Sequence, residues 1–368
     1  MSARLPELGF YTLPGHVADP RQVAQEVRDG AALGLGSVWI SDRLNTKNVE
    51  VLSGVAASQN TDLGIASGLI ANLPLRNPLV VAGYASTMSL LTGGRFALGI
   101  GRGQALLAEA AGVPQLTFRM LEDWITILRQ LWRGETVNYD GPVGTLRNAA
   151  LGISLDQPPP IIMSPMGDRT CYWSGKLCDA VVYNSLWSAD AVAHSTRLVR
   201  QGALDAGRNP DDVRIWTIGI AACDLDEQDT LNIIIRRMNT YLALGPLFEN
   251  ICKANHWDTG ILDRVRALIF DDSATRKRAG SMGDEHVSRD LEVTRRCAEL
   301  YPERWVQEGC LVGSASRCVD GMLARVDAGA DGILLHGSTP AQMTALIEAW
   351  RSQRPAERFA GLQNNPGI

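Results

Sequence analysis

A (β/α)8 barrel, the TIM-barrel class, is what this sequence predicts, and three observations carry the expectation. Short apolar runs alternate with segments of helical spacing through the first third of the chain and return near its end. One run, Phe96-Ala97-Leu98-Gly99-Ile100-Gly101-Arg102-Gly103-Gln104, opens into a loop with glycine at every second position. A buried barrel strand has that pattern where its end brings backbone close to a flat ligand. The chain has 368 residues, 45% hydrophobic and 20% charged, enough to bury the core of one large barrel.

Taken in order, Leu8 to Tyr11 reads as the first strand, and Pro20 opens a helix whose Val23, Val27 and Ala31 share a face. Ser37 to Ile40 is the second strand, Leu63 to Ala66 the third and Phe96 to Ile100 the fourth. Between the last two, Asn77 is a cap and Pro78 a first-turn proline, starting a helix that ends near Gly93-Gly94. Pro160 to Met163, Ala180 to Val182, Arg214 to Ala221 and Gly332 to Leu335 complete the set of strands. Val319, Met322, Leu323 and Val326 mark an amphipathic helix before the final strand, capped by Ser314 or Ser316. Two stretches break the rhythm. Gly134 to Pro159, with Tyr139-Asp140-Gly141-Pro142, reads as a hairpin or loop insertion, and residues 241–312 as a helical excursion over one barrel face. The whole chain, 1–368, is expected to be a single barrel domain with these insertions.

A net charge of -5 argues against nucleic acid or an anionic membrane as partner, so the expected partner is a small-molecule substrate. Seven cysteines never fall two residues apart, and five histidines are scattered, so no metal site is expected. The opening residues lack an apolar leader and no stretch approaches the roughly 20 apolar residues of a membrane span, which points to the cytoplasm.

Function in this fold sits at the C-terminal ends of the strands. Ser41-Asp42-Arg43 follows the second strand; it reads either as a helix cap with a surface arginine or as a polar site. Ser67-Gly68-Leu69 follows the third, where a Ser-Gly pair also makes an ordinary turn. Gly101-Arg102-Gly103-Gln104 follows the fourth. After the fifth comes Ser164-Pro165-Met166-Gly167-Asp168-Arg169, either a plain strand-helix turn or a loop whose free N–H groups receive an anion. Tyr11, His16, Asn184 and His336 lie near other strand ends; His16 sits in a loop that could close on substrate. Most of the nine tryptophans read as core, with Trp187 the candidate for a pocket wall.

The order and spacing of these loops resemble the luciferase-like monooxygenase superfamily, and within it the branch that uses the deazaflavin coenzyme F420. The matching stretches are Val38-Trp39-Ile40-Ser41-Asp42, Leu73-Pro74-Leu75-Arg76-Asn77-Pro78, Leu91-Thr92-Gly93-Gly94-Arg95-Phe96, Gly99-Ile100-Gly101 and Val326-Asp327-Ala328-Gly329-Ala330-Asp331-Gly332. The likeness is weakest over 241–312. It implies a bacterial luciferase-like barrel with a non-prolyl cis peptide at Gly68-Leu69 that presses on the cofactor's central ring. It places Asp42 near the pyrimidine-like end, and Met166, Gly167 and Asp168 at the phosphate, with Arg169 adding charge. Ser67, Gly101, Arg102, Gly103 and Ser164 complete the expected cofactor surface.

Two departures from the sugar-phosphate dehydrogenase branch narrow the chemistry. Arg43 stands where that branch has histidine, and Gln104 where it has glutamate. Arginine is always charged and cannot act as a base at neutral pH, though it can orient a carbonyl and stabilise developing negative charge. Gln104 can only hydrogen-bond. Arg43, Gln104 and His16 are thus the candidate catalytic residues of a reductase acting on a small organic substrate. FMN in a two-component monooxygenase is the alternative, and a non-catalytic flavin-binding protein a further one. A homodimer through an exposed excursion helix is compatible with the resemblance.

Overall fold

The computed structural model describes residues 4–14, 19–43, 47–70, 72–103, 105–243, 247–271 and 290–368. Eight parallel strands close into a barrel: β1 Leu5–Tyr11, β2 Leu35–Ile40, β3 Gly64–Ser67, β4 Phe96–Ile100, β7 Ile161–Met163, β8 Ala180–Tyr183, β9 Arg214–Cys223 and β11 Gly332–His336. Pairing of β8 with β9 and of β11 with β1 completes the ring, with Phe10 opposite Leu335 and Tyr183 opposite Thr217. The remaining strands are the antiparallel hairpin β5 Val137–Gly141 and β6 Gly144–Ala149, and β10 Cys310–Gly313.

Local chemistry explains most boundaries. Asp19 caps a 3-10 turn at Pro20–Gln22, which leads into the helix Val23–Ala32. Asn77 accepts a hydrogen bond from the Leu79 N–H at 2.9 Å, and Gly93, with φ 60°, closes that helix, Pro78–Thr92. Ser314 is the cap of Ala315–Asp327. The strand Cys310–Gly313 was not legible as a strand; it extends the upper half of β9, with Ala222 opposite Val312. The stretch expected to be helical therefore ends in sheet. Its helices Leu247–Asn255, Leu262–Asp271, Leu291–Leu300 and Glu303–Gly309 pack on the barrel exterior around Trp257 and Trp305, stacked 4.8 Å apart.

Side chains fill the barrel interior. Tyr11, Trp39, Ala66, Ala97, Ile162, Ala180, Val182, Trp216, Ile218 and Leu334 form one buried cluster, with Trp39 meeting Trp216 edge-on at 5.4 Å. The N-terminal end is closed by the segment 363–368. Arg214 donates to the carbonyls of Gln363, Asn365, Ile368 and Pro6, and the Trp216 indole to that of Pro366. Trp187, expected as a pocket wall, is core instead: it is 1% exposed and its indole donates to Ser195 Oγ.

Candidate active site

The strands β2, β3, β4 and β7 are neighbours in the barrel. The loops at their C-terminal ends, which carry most of the expected cofactor residues, therefore form one contiguous arc of the mouth.

In the loop after β3, the peptide Gly68-Leu69 is cis. Its surroundings are tightly defined. The Gly68 N–H donates to the Ile40 carbonyl at 2.7 Å and that of Ile70 to Gly99 at 2.9 Å. A Cβ on Gly68 would stand 2.9 Å from the Tyr11 ring, and one on Gly99 only 2.0 Å from the Ser67 carbonyl oxygen. Gly103, at φ +76°, has the Asn72 side chain where its own would be. Gly99 in β4 and Gly103 beyond it thus make room first for Ser67–Ile70 and for Asn72, and only through them for a ligand. Ser67 belongs to the same scaffold: its hydroxyl donates to the Gly99 carbonyl and accepts from the Gly99 N–H. As a direct side-chain contact to a cofactor it is already committed elsewhere.

Asp42 follows β2 and is 7% exposed. Its Oδ2 lies 3.1 Å from Arg76 Nη2, while Oδ1 is buried with no hydrogen-bond partner. Arg76 also grips Glu50 through Nε at 2.5 Å and Nη2 at 3.2 Å. Burial raises the pKa of Asp42 and Arg76 opposes it incompletely, since one guanidinium serves two carboxylates. Glu50 moves the other way: its burial is outweighed by the paired bonds from Arg76. Arg76 lay in plain view within Leu73-Pro74-Leu75-Arg76, where a lone charge in an apolar run was the available signal.

Arg43 pairs backbone to backbone with Lys47 across 44–46, at 2.8 and 3.1 Å. Its half-buried side chain lies within electrostatic reach of the Tyr11 hydroxyl. Burial raises the Tyr11 pKa, nearby Tyr241 adds to it, and Arg43 and Arg237 oppose it. Tyr11 packs on His336 with ring centroids 4.7 Å apart, closing the mouth on the β1–β11 side. Arg237 and Tyr241 come from the helix Arg236–Ala243, which no local sequence pattern ties to the site. The π-helical turn Leu231–Ile235 before it presses Ile233 onto Gly337 and so brings that helix over the mouth. Lys47 is structural: buried, it ties the loop to the Leu13 carbonyl. His16 and Gln104 lie outside the described residues.

At the far end of the arc, Gly167 caps the helix Asp168–Leu177 without a side chain. Asn250 Oδ1 of the excursion stands 3.7 Å from the place a Gly167 Cβ would take. The Met166 sulfur accepts from Asn184, and Asp168 pairs with His194 at 3.1 Å on the surface. Arg102 and Arg169, from different loops, both lie over the Phe118 ring, at 5.3 and 4.7 Å. Ser164 is half-buried directly after β7. Among the described residues no group of three or more His, Cys, Asp or Glu could hold a metal ion, and no helix is long and apolar enough to cross a membrane.

Comparison with known proteins places this architecture. An F420-dependent glucose-6-phosphate dehydrogenase of Kineococcus radiotolerans is 27% identical over 213 residues, 54% of this chain and 61% of that protein. The chain thus spans about six-tenths of the length of the curated relatives it matches first. The coenzyme F420 dependent tetrahydromethanopterin reductase of Methanopyrus kandleri superposes with a TM-score of 0.74 at 17% identity, over 94% of this chain and 98% of that one. The oxygenating constituent of 3,6-diketocamphane monooxygenase from Pseudomonas putida, solved with FMN, gives 0.63 at 20% identity, over 96% and 98%. The luciferase-like monooxygenase family profile matches residues 7–332, so the chain belongs to that family.

Proposed function

We propose that this chain is a coenzyme F420-dependent oxidoreductase that works as a reductase on a small organic substrate. When bound, the deazaflavin supplies the hydride from its C5. The observation that carries the reading is Asp42, a buried carboxylate at the barrel mouth with one oxygen unpartnered. Buried polar atoms nearly always have partners, so this one fits a ligand edge bearing an N–H or O–H donor. The relatives named for F420 support the deazaflavin in that place.

The chain's own residues divide the work. The bulge at Gly68-Leu69, backed by Tyr11 and Trp39, forms an apolar wall for a flat ring. The Gly167 helix start, with Arg169 and Arg102 nearby, is the anion-receiving end. Arg43, on the Tyr11 side, orients an electrophilic substrate and stabilises the negative charge that builds on it. Arg43→Ala should lower kcat by about a hundredfold and leave cofactor Kd within about threefold. Unchanged turnover would remove Arg43 from the mechanism. FMN is the second reading, favoured by the similar barrel solved with it.

Titration of the purified protein with oxidised F420, and separately with FMN, followed by tryptophan fluorescence, tests the assignment. Trp39 and Trp216 in the barrel interior are the natural reporters. Micromolar binding of F420 alone supports the reductase. Preference for FMN redirects the reading to oxygenation with a partner reductase, and binding of neither overturns both. A homodimer is also proposed, through a surface other than the excursion: Val51, Val80, Leu90 and Leu91 are 58–65% exposed on Val49–Ser58 and Pro78–Thr92.

A further inference from the structure

The mouth contains a three-residue device that the cofactor assignment does not by itself require. Asp42 follows β2, Glu50 lies in the first turn of the helix Val49–Ser58, and Arg76 comes from the loop before Pro78–Thr92. The side chains are largely withdrawn from solvent, at 4%, 26% and 11% exposure. Arg76 reaches Glu50 with two nitrogens and Asp42 with one. A fork gripped twice by Glu50 cannot turn away, so it presents Nη2 to Asp42 from a set direction. Asp42 is then fixed through Oδ2, and Oδ1 is left buried without a partner.

We infer that Arg76, braced by Glu50, is the positioning residue of this site: it orients Asp42 and keeps it ionised, so that Oδ1 accepts a hydrogen bond from a donor on the ligand's edge. This rests on the cofactor-binding reading above. The consequence is specificity by protonation state. An ionised carboxylate only accepts, whereas a protonated one can donate, so loss of Arg76 would change which ligand edge the pocket reads. The groups facing Asp42 are few. Arg76 and Glu50 act on it, the Val49 N–H faces it, and the half-buried Tyr84, its hydroxyl tied to Ser53, lies within its field. Burial pushes Asp42 toward the protonated form, and Arg76 is the principal group resisting it.

The test is the pH dependence of oxidised F420 binding to the whole protein, read by tryptophan fluorescence from about pH 5 to about pH 8. Wild type and Arg76→Lys should show affinity that changes little over this range. Arg76→Gln should lose about tenfold per pH unit below the pKa that Asp42 acquires. Asp42→Asn should bind weakly at every pH, and the double variant should match it. Arg76→Gln tracking the wild type, or pH dependence surviving in the double variant, overturns the proposal. Glu50→Gln removes the brace alone and should weaken binding a few-fold at all pH values; equal affinity removes the brace from the account. A second readout needs no ligand: an infrared carboxylic acid C=O band should appear in Arg76→Gln near neutral pH and vanish with Asp42→Asn. If wild type binds neither F420 nor FMN, the functional reading fails while the infrared measurement still decides the role of Arg76.

Discussion

The two ends of this barrel solve opposite problems with the same residue type. At the N-terminal end, Arg214 is buried and its guanidinium donates to four backbone carbonyls, with the Trp216 ring beneath it at 4.6 Å. At the C-terminal end, Arg76 is shared between two carboxylates, and one oxygen of that set stays unpaired. One arginine closes the barrel; the other holds it ready for something absent from the chain. In this fold the first arrangement belongs to stability and the second to function.

Removing the closure should have the largest effect on folding. Arg214→Ala leaves those carbonyls unsatisfied and unseats 363–368, costing about 3 kcal/mol or more in urea or thermal unfolding. A loss below about 1 kcal/mol would mean the segment holds without it. Gly99→Ala comes next. Its Cβ would meet the Ser67 carbonyl oxygen at 2.0 Å and the Leu69 side chain at 2.7 Å, so the bulge must move. We expect about 2 kcal/mol of destabilisation together with at least tenfold weaker cofactor binding. Normal binding in that variant would show that the bulge does not shape the pocket.

Asp42→Asn should have the smallest stability effect, with the opposite sign. The folded-state pKa of Asp42 is raised, so its favourable contribution exists at low pH and is lost as pH rises through that value. At neutral pH the buried charge is a net cost. Asp42→Asn should therefore be as stable as wild type or up to about 1 kcal/mol more stable at pH 7. The difference should shrink as pH falls toward about 4. Marked destabilisation at pH 7 would show that the Arg76 pair outweighs burial, contrary to the direction drawn here.

Much of this was legible beforehand. Asn77-Pro78 and Gly93 mark a helix because capping is a local matter, and the strands of the ring stand out as short apolar runs. The strand Cys310–Gly313 was not legible: four residues following a helix carry no periodicity, and only an unpaired upper stretch of β9 makes them a strand. The alternating glycines after Phe96 do mark a close approach, but what approaches Gly99 and Gly103 is the chain's own Ser67, Leu69 and Asn72. Arg76 shows in the sequence only as a lone charge after an apolar run, and no local pattern ties Arg237 to the mouth.

By itself the sequence determined the barrel, the arc of loops that carries Asp42, Gly68-Leu69 and Gly167, and the exclusion of histidine and glutamate chemistry at positions 43 and 104. Those follow from local pattern and residue chemistry. Only the tertiary structure decided that Ser67 braces β4, that Lys47 and Trp187 are structural, and that Arg76 divides itself between Glu50 and Asp42. Each depends on which groups meet across 8 to 34 positions of chain and on how much water is left between them. Burial decides whether a charged group is a surface ornament or a site, and no stretch of sequence states it.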